Sequence, residues 1–159
     1  LKNGPVKATM LGEPLRSVAF AEGMTPICDL LAERMPWLYS GLVVDKAYLA
    51  DNRDAVLCFM RATVEGNYLA VNDAERAKKV MADVLNITDA KNLDITYDNF
   101  KTYTPLNAEP TVEGGKNIMA TVEAANKSDN IDDYMDESVH EELRDEGFFE
   151  AMKEKYKLG

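Results

Sequence analysis

Asn3-Gly4-Pro5-Val6-Lys7-Ala8-Thr9-Met10-Leu11-Gly12-Glu13-Pro14-Leu15-Arg16-Ser17-Val18-Ala19-Phe20-Ala21-Glu22-Gly23 sets the first expectation for the fold. Val6 to Leu11 is a short, mainly apolar run between Gly-Pro and Gly-Glu-Pro, the pattern of a buried strand. Pro14 suits the first turn of a helix, where its missing N–H costs nothing. The spacing predicts a helix over Pro14 to Glu22, and Gly23 supplies the stop. Strand, tight turn and helix in this order are how an α/β lobe presents a polar side chain at a strand end. Glu13 holds that position.

Further along, Thr25 to Leu31 reads as a weak second strand or loop, and Met35-Pro36-Trp37 as a break. Tyr39-Ser40-Gly41-Leu42-Val43-Val44 is the strongest strand signal. A short helical turn follows at Asp45 to Ala50, and Asp51 or Asn52 caps the next helix. From Arg53 to Ala70, Val56, Phe59, Met60, Val64 and Leu69 mark an amphipathic helix with a wide buried stripe. Asn72-Asp73 caps another, with Ala77, Val80, Met81, Val84 and Leu85 on one face. Short helical turns are expected at Asp89 to Leu93 and Tyr97 to Phe100. Thr111 caps a helix to about Ala125, with Gly114-Gly115 in its first turn. Met135 to Leu158 holds one or two helices, interrupted at Gly147-Phe148-Phe149. The expectation is α/β: few strands near the N-terminus, then five or six helices.

The chain has 159 residues, of which 46% are hydrophobic and 29% charged, enough for a real core. Its net charge of −10 argues against nucleic acid and anionic membrane surfaces, which need clustered Lys and Arg. The carboxylate-rich run Asp129 to Glu137 lacks the alternating ligands and Gly turn of a calcium loop and reads as a solvated helix start. Two cysteines without CxxC spacing and a single His do not compose a zinc site. Cys58 reads as a small core residue, and a Cys28–Cys58 disulfide stays open.

Four ordered blocks carry a resemblance. The first is Gly4, Ala8, Glu13 and Pro14. The second is Tyr39 to Val44 with Tyr48-Leu49-Ala50-Asp51-Asn52 and the helix from Ala55. The third is Ala62, Gly66 and Ala70; the last is Asp133, Tyr134, Asp136 and Ser138, leading to Gly147-Phe148. In this order and spacing the chain resembles the solute-binding proteins of ABC importers that handle nitrate, taurine, alkanesulfonates and thiamine pyrimidine precursors. Lys7-Ala8 departs from the Asp-Ala common in that family. The resemblance implies a type II periplasmic-binding-protein fold, two α/β lobes that close on ligand about a hinge. On that alignment the chain is a C-terminal half. Residues 1–44 would be the end of the second lobe plus a crossover strand, and residues 45–159 a helical part returning to the first lobe. It also implies an extracytoplasmic location, a membrane permease as partner, no catalysis and no cofactor. A fragment with unpaired edges is expected to self-associate.

The expected ligand-binding residues are Glu13, Trp37, Tyr39 and Ser40. Glu13 near a helix start could accept hydrogen bonds from an amine or aminopyrimidine, or could only favour the dipole. Trp37, the sole Trp, could stack on an aromatic ligand or pack in the core. Tyr39 and Ser40 open the crossover strand. Arg16 could pair with an anion or be solvated, and His140 reads as a surface helix residue beside Glu141 and Glu142. Glu13 with Trp37 leans toward an amino-heterocycle. Two other functions compete. An enzyme of the same fold, like the pyrimidine synthase that consumes its own His, would need a Cys-rich iron-binding motif. A helical protein-interaction domain would not need the early strand–helix unit.

Overall fold

The computed structural model describes residues 3–30, 32–38, 41–123 and 128–158. Among these it has eight α-helices, one 3-10 helix and no strand. The α/β expectation is therefore overturned. Residues 6–12 have neither helix nor ladder, and Val6 and Met10 face solvent. The described part of the second expected strand, residues 41–44, is irregular, with Val43 93% exposed. A strand exists only by pairing its backbone with a neighbour. Apolar runs alone do not supply one, and among the described residues no strand forms to pair with these. Residues 25–30, the weaker candidate, are also irregular.

Contacts group the chain into two compact units. The first combines Leu1–Cys28 with Asp73–Thr104. It holds α1 (Leu15–Ala21), α4 (Ala74–Leu85) and α5 (Ala90–Tyr103), with α5 packed against both others. Asp73 caps α4 by accepting from the Arg76 N–H at 3.0 Å, and Asp89 caps α5 by accepting from the Asn92 N–H at 2.8 Å. The two short turns expected around 89–100 are one continuous helix, because no Gly or Pro intervenes. Little apolar surface is buried in this unit: Ala19, Ala77 and Tyr97 are its buried hydrophobics. Val80, Val84 and Leu85, expected to face inward, are exposed.

The second unit combines Asp29–Asn72 with Pro105–Gly159 and contains the main core. Its helices are α2 (Lys46–Asp51), α3 (Arg53–Asn72), α6 (Val112–Thr121), α7 (Ser138–Asp145) and α8 (Phe148–Tyr156). Asp45 caps α2, accepting from the N–H groups of Ala47 and Tyr48. Along α3, Val56, Leu57, Val64 and Tyr68 recur at helical spacing and form one buried stripe. Val139 and Leu143 of α7, Phe149 and Met152 of α8 and Leu49 of α2 close over it. Phe59 and Cys58, read from sequence as inward-facing, lie on the exposed side of α3. Both cysteines are free. Gly147, at φ 73°, turns the chain between α7 and α8, a conformation that favours glycine.

A polar junction fixes α3 to α7. Arg53 donates from Nε to Glu142 at 2.7 Å and from Nη2 to the Ser138 carbonyl at 3.1 Å. Asp136 accepts from the Ser138 N–H at 2.9 Å. Hydrogen bonding from the Ser138 hydroxyl and N–H holds the Asp136 carboxyl below its ordinary range, and Arg53 adds attraction. A carboxylate with a depressed folded pKa stabilises above its unfolded pKa and loses that contribution as pH falls through the folded value. Asp136→Ala should therefore lower the melting temperature at neutral pH, and the gap from wild type should narrow on acidification from about pH 6 to pH 3. Melts across that range check it; a gap constant with pH would refute the assignment.

Candidate functional site

Glu13 belongs to the first unit and is engaged locally. Its carboxylate accepts from the Ser17 hydroxyl at 2.7 Å and the Ser17 N–H at 3.2 Å. Arg16 stands 3.7 Å away and lies over the Phe20 ring. Glu13 thus satisfies the open first turn of α1.

Trp37 belongs to the second unit, where α6 holds its backbone. Asn117 donates from Nδ2 to the Pro36 carbonyl at 2.8 Å. Gly114 permits the approach: a Cβ there would lie 2.8 Å from the Leu38 nitrogen and 3.1 Å from the Trp37 carbonyl carbon. The Gly114-Gly115 pair, which matches no phosphate motif, is explained by this contact and by Ile131 and Met135 pressed on Gly115. Trp37 itself is 41% exposed, so it is not a core residue. Tyr39 and Ser40 lie outside the described residues. Neither unit gathers the four expected residues into one described site.

A polar cluster around His140 is one that sequence reading missed. His140, expected on the surface, is 5% exposed and stacks on Phe149 with centroids 4.6 Å apart. Its Nε2 lies 3.0 Å from the Asn107 carbonyl, and its Nδ1 lies 3.4 Å from Arg144 Nη2. A carbonyl only accepts, so in the first contact Nε2 is the donor. Arg144 continues to Glu109 at 2.9 Å, and Tyr68 donates to the Asn107 side chain at 2.8 Å. Asn67 donates to the Leu106 carbonyl at 3.2 Å. The cluster fastens the 106–109 loop to α3 and α7. Both ring nitrogens are occupied by structural partners, so the imidazole is not presented to a substrate. Only its spacing, with Val139 and Leu143 flanking it on one helix, hinted at burial.

The α3–α8 flank carries surface ion pairs. Glu65 accepts from Lys155 at 2.6 Å and Tyr156 at 3.0 Å, and these bonds lower its pKa. A shallow, open depression lies beside α8, lined by Glu150, Lys153, Glu154, Lys157 and Leu158. Its mixed charges select no ligand class. Among the described residues no three His, Cys, Asp or Glu side chains gather to hold a metal ion, and no helix is long and apolar enough to cross a membrane. No family model, curated protein or solved structure matches this chain.

Proposed function

We propose that this chain serves solute capture by an ABC importer, as an extracytoplasmic binding component for a small polar metabolite, with a lean toward amino-heterocycles. One observation carries the reading. Two of the separated blocks that resemble such receptors, residues 48–52 and 133–138, meet at Arg53, which follows the first block and bonds Ser138 at the end of the second. Their spacing thereby acquires a structural reason. Among the described residues neither unit keeps the strands that the resemblance implies, so the reading rests on this junction, which lies in the second unit. Binding rather than catalysis also suits the single His, whose ring is committed to Asn107 and Arg144.

The test is thermal shift of the protein against pyrimidines, flavins, taurine, alkanesulfonates and nitrate. A ligand of the folded state at 100 times its dissociation constant should add about 2.7 kcal/mol. A shift confined to one class supports the reading and names the ligand class. No shift with any class overturns it.

A second reading, a helical protein-interaction domain, is favoured by the apolar faces exposed in the first unit: Leu15, Val18 and Phe20 on α1 and Val80 and Val84 on α4. That reading requires a protein partner in place of a small-molecule response.

A further inference from the structure

We propose that two copies of this chain pair antiparallel through the outer face of α3, with Phe59 of each copy seated over Gly66 of the other. The pairing is independent of solute capture.

The face lies opposite the buried stripe of Val56, Leu57, Val64 and Tyr68. It runs through Ala55, Cys58, Phe59, Ala62, Thr63 and Gly66, all exposed and none charged. In a chain that is 29% charged, the solvent side of a helix is expected to carry charge along its length. At about 100° per residue, Asp54, Arg61 and Glu65 instead keep to one flank. Thr63 turns its hydroxyl back to the Phe59 carbonyl at 3.0 Å, so its polar atom is satisfied within the helix. A helix that is apolar on both sides has a partner on both.

Shape and charge single out a second copy as that partner. Gly66 sits inside α3, where glycine weakens a helix. A Cβ there would meet nothing within 4 Å, so no contact inside the chain calls for the gap. Phe59, 56% exposed, is the large side chain of the same face and lies about 10 Å from Gly66 along the axis. Reversing a second α3 about a twofold axis between Ala62 and Thr63 sets each Phe59 opposite the partner's Gly66. The same reversal brings Arg61 beside the partner's Glu65, so opposite charges meet twice. Arg61 is bonded to Glu146 and Glu65 to Lys155, and all four side chains are open enough to share a further partner. A parallel pairing would set Phe59 against the partner's Phe59 and leave both gaps empty. Knob, gap and charges are therefore self-complementary about one axis, the requirement for an isologous dimer.

Sedimentation equilibrium over about a hundredfold range of concentration should fit a monomer–dimer equilibrium. One helix face is a small interface, so dilute protein is monomeric and Phe59→Ala leaves its unfolding unchanged. At high concentration Phe59→Ala should weaken the dimer roughly tenfold or more, as loss of a central aromatic anchor does. Gly66→Leu fills the gap and should abolish the dimer with helical circular dichroism retained, because the monomer has open space there. Val80→Ala, at a position 54% exposed on α4, should leave the dimer unchanged. A monomer at every concentration would overturn the pairing and assign the face to a different protein. A dimer left intact by either Phe59→Ala or Gly66→Leu would overturn it as well, by placing the interface elsewhere.

Discussion

Leu143→Ala is expected to destabilise the second unit by about 2–5 kcal/mol, the range for emptying a buried leucine site. Leu143 is fully buried and lies in the cluster formed with Val64, Tyr68, Phe149 and Met152. Four helices contribute to that cluster, so side chains fixed on several elements line the space that Ala would leave. Against a typical total stability of about 5–15 kcal/mol, such a loss is large. Phe59→Ala is the matched control. It removes a larger side chain from the exposed side of α3, where Phe59 is 56% exposed, and should change stability by no more than about 0.5 kcal/mol. Urea unfolding followed by circular dichroism measures both. Equal effects at the two positions would mean that the stripe along α3 is not the core.

Gly114→Ala carries the second large effect, and its sign is decided by competition. Ala is favoured over Gly in a helix by about 1 kcal/mol. At Gly114 the new methyl would meet backbone, with the Leu38 nitrogen 2.8 Å and the Trp37 carbonyl carbon 3.1 Å away. Backbone held by Asn117 does not give way cheaply, and overpacking costs about 1–3 kcal/mol. A net destabilisation is expected, with altered Trp37 emission as residues 37–38 lift from α6. Gly115→Ala should be milder. Its methyl would meet Met135 Sδ at 2.7 Å and Ile131 Cδ1 at 3.1 Å, both ends of side chains that can rotate. Unfolding midpoints and emission spectra of the two variants provide the comparison. A stabilised Gly114→Ala with unchanged emission would show that α6 does not clamp this segment.

The helical half of the fold was legible because its signals are local. Thr111 and Asp73 announce helix starts by residue type, and each accepts an N–H of its first turn. The strands were misread because an apolar run records only a wish for burial, whereas a strand needs a partner that no local window contains. Val6–Leu11 and Val43 carry the pattern and lack the ladder. The same limit explains α4, where Val80 and Val84 have helical spacing but face water. Periodicity says which residues share a face, not whether anything covers it. For the candidate site, sequence singled out Trp37 by rarity. It could not foresee Asn117, whose contact spans 81 positions. Nor could it bury His140, since Asn107 lies 33 positions away.

The distance between Arg53 and its partners also has a meaning in time. Glu142 lies 89 positions after Arg53, and Ser138 lies 85 after it. At about 5–20 residues per second, a ribosome makes that interval roughly 4–18 s long. For most of it, α3 is already synthesised while the helices that cover Val64 and Tyr68 are not yet complete. Helix formation takes about a microsecond, so waiting rather than folding sets the pace. The nascent chain therefore carries an uncovered apolar stripe for seconds, until α7 and α8 emerge to cover it.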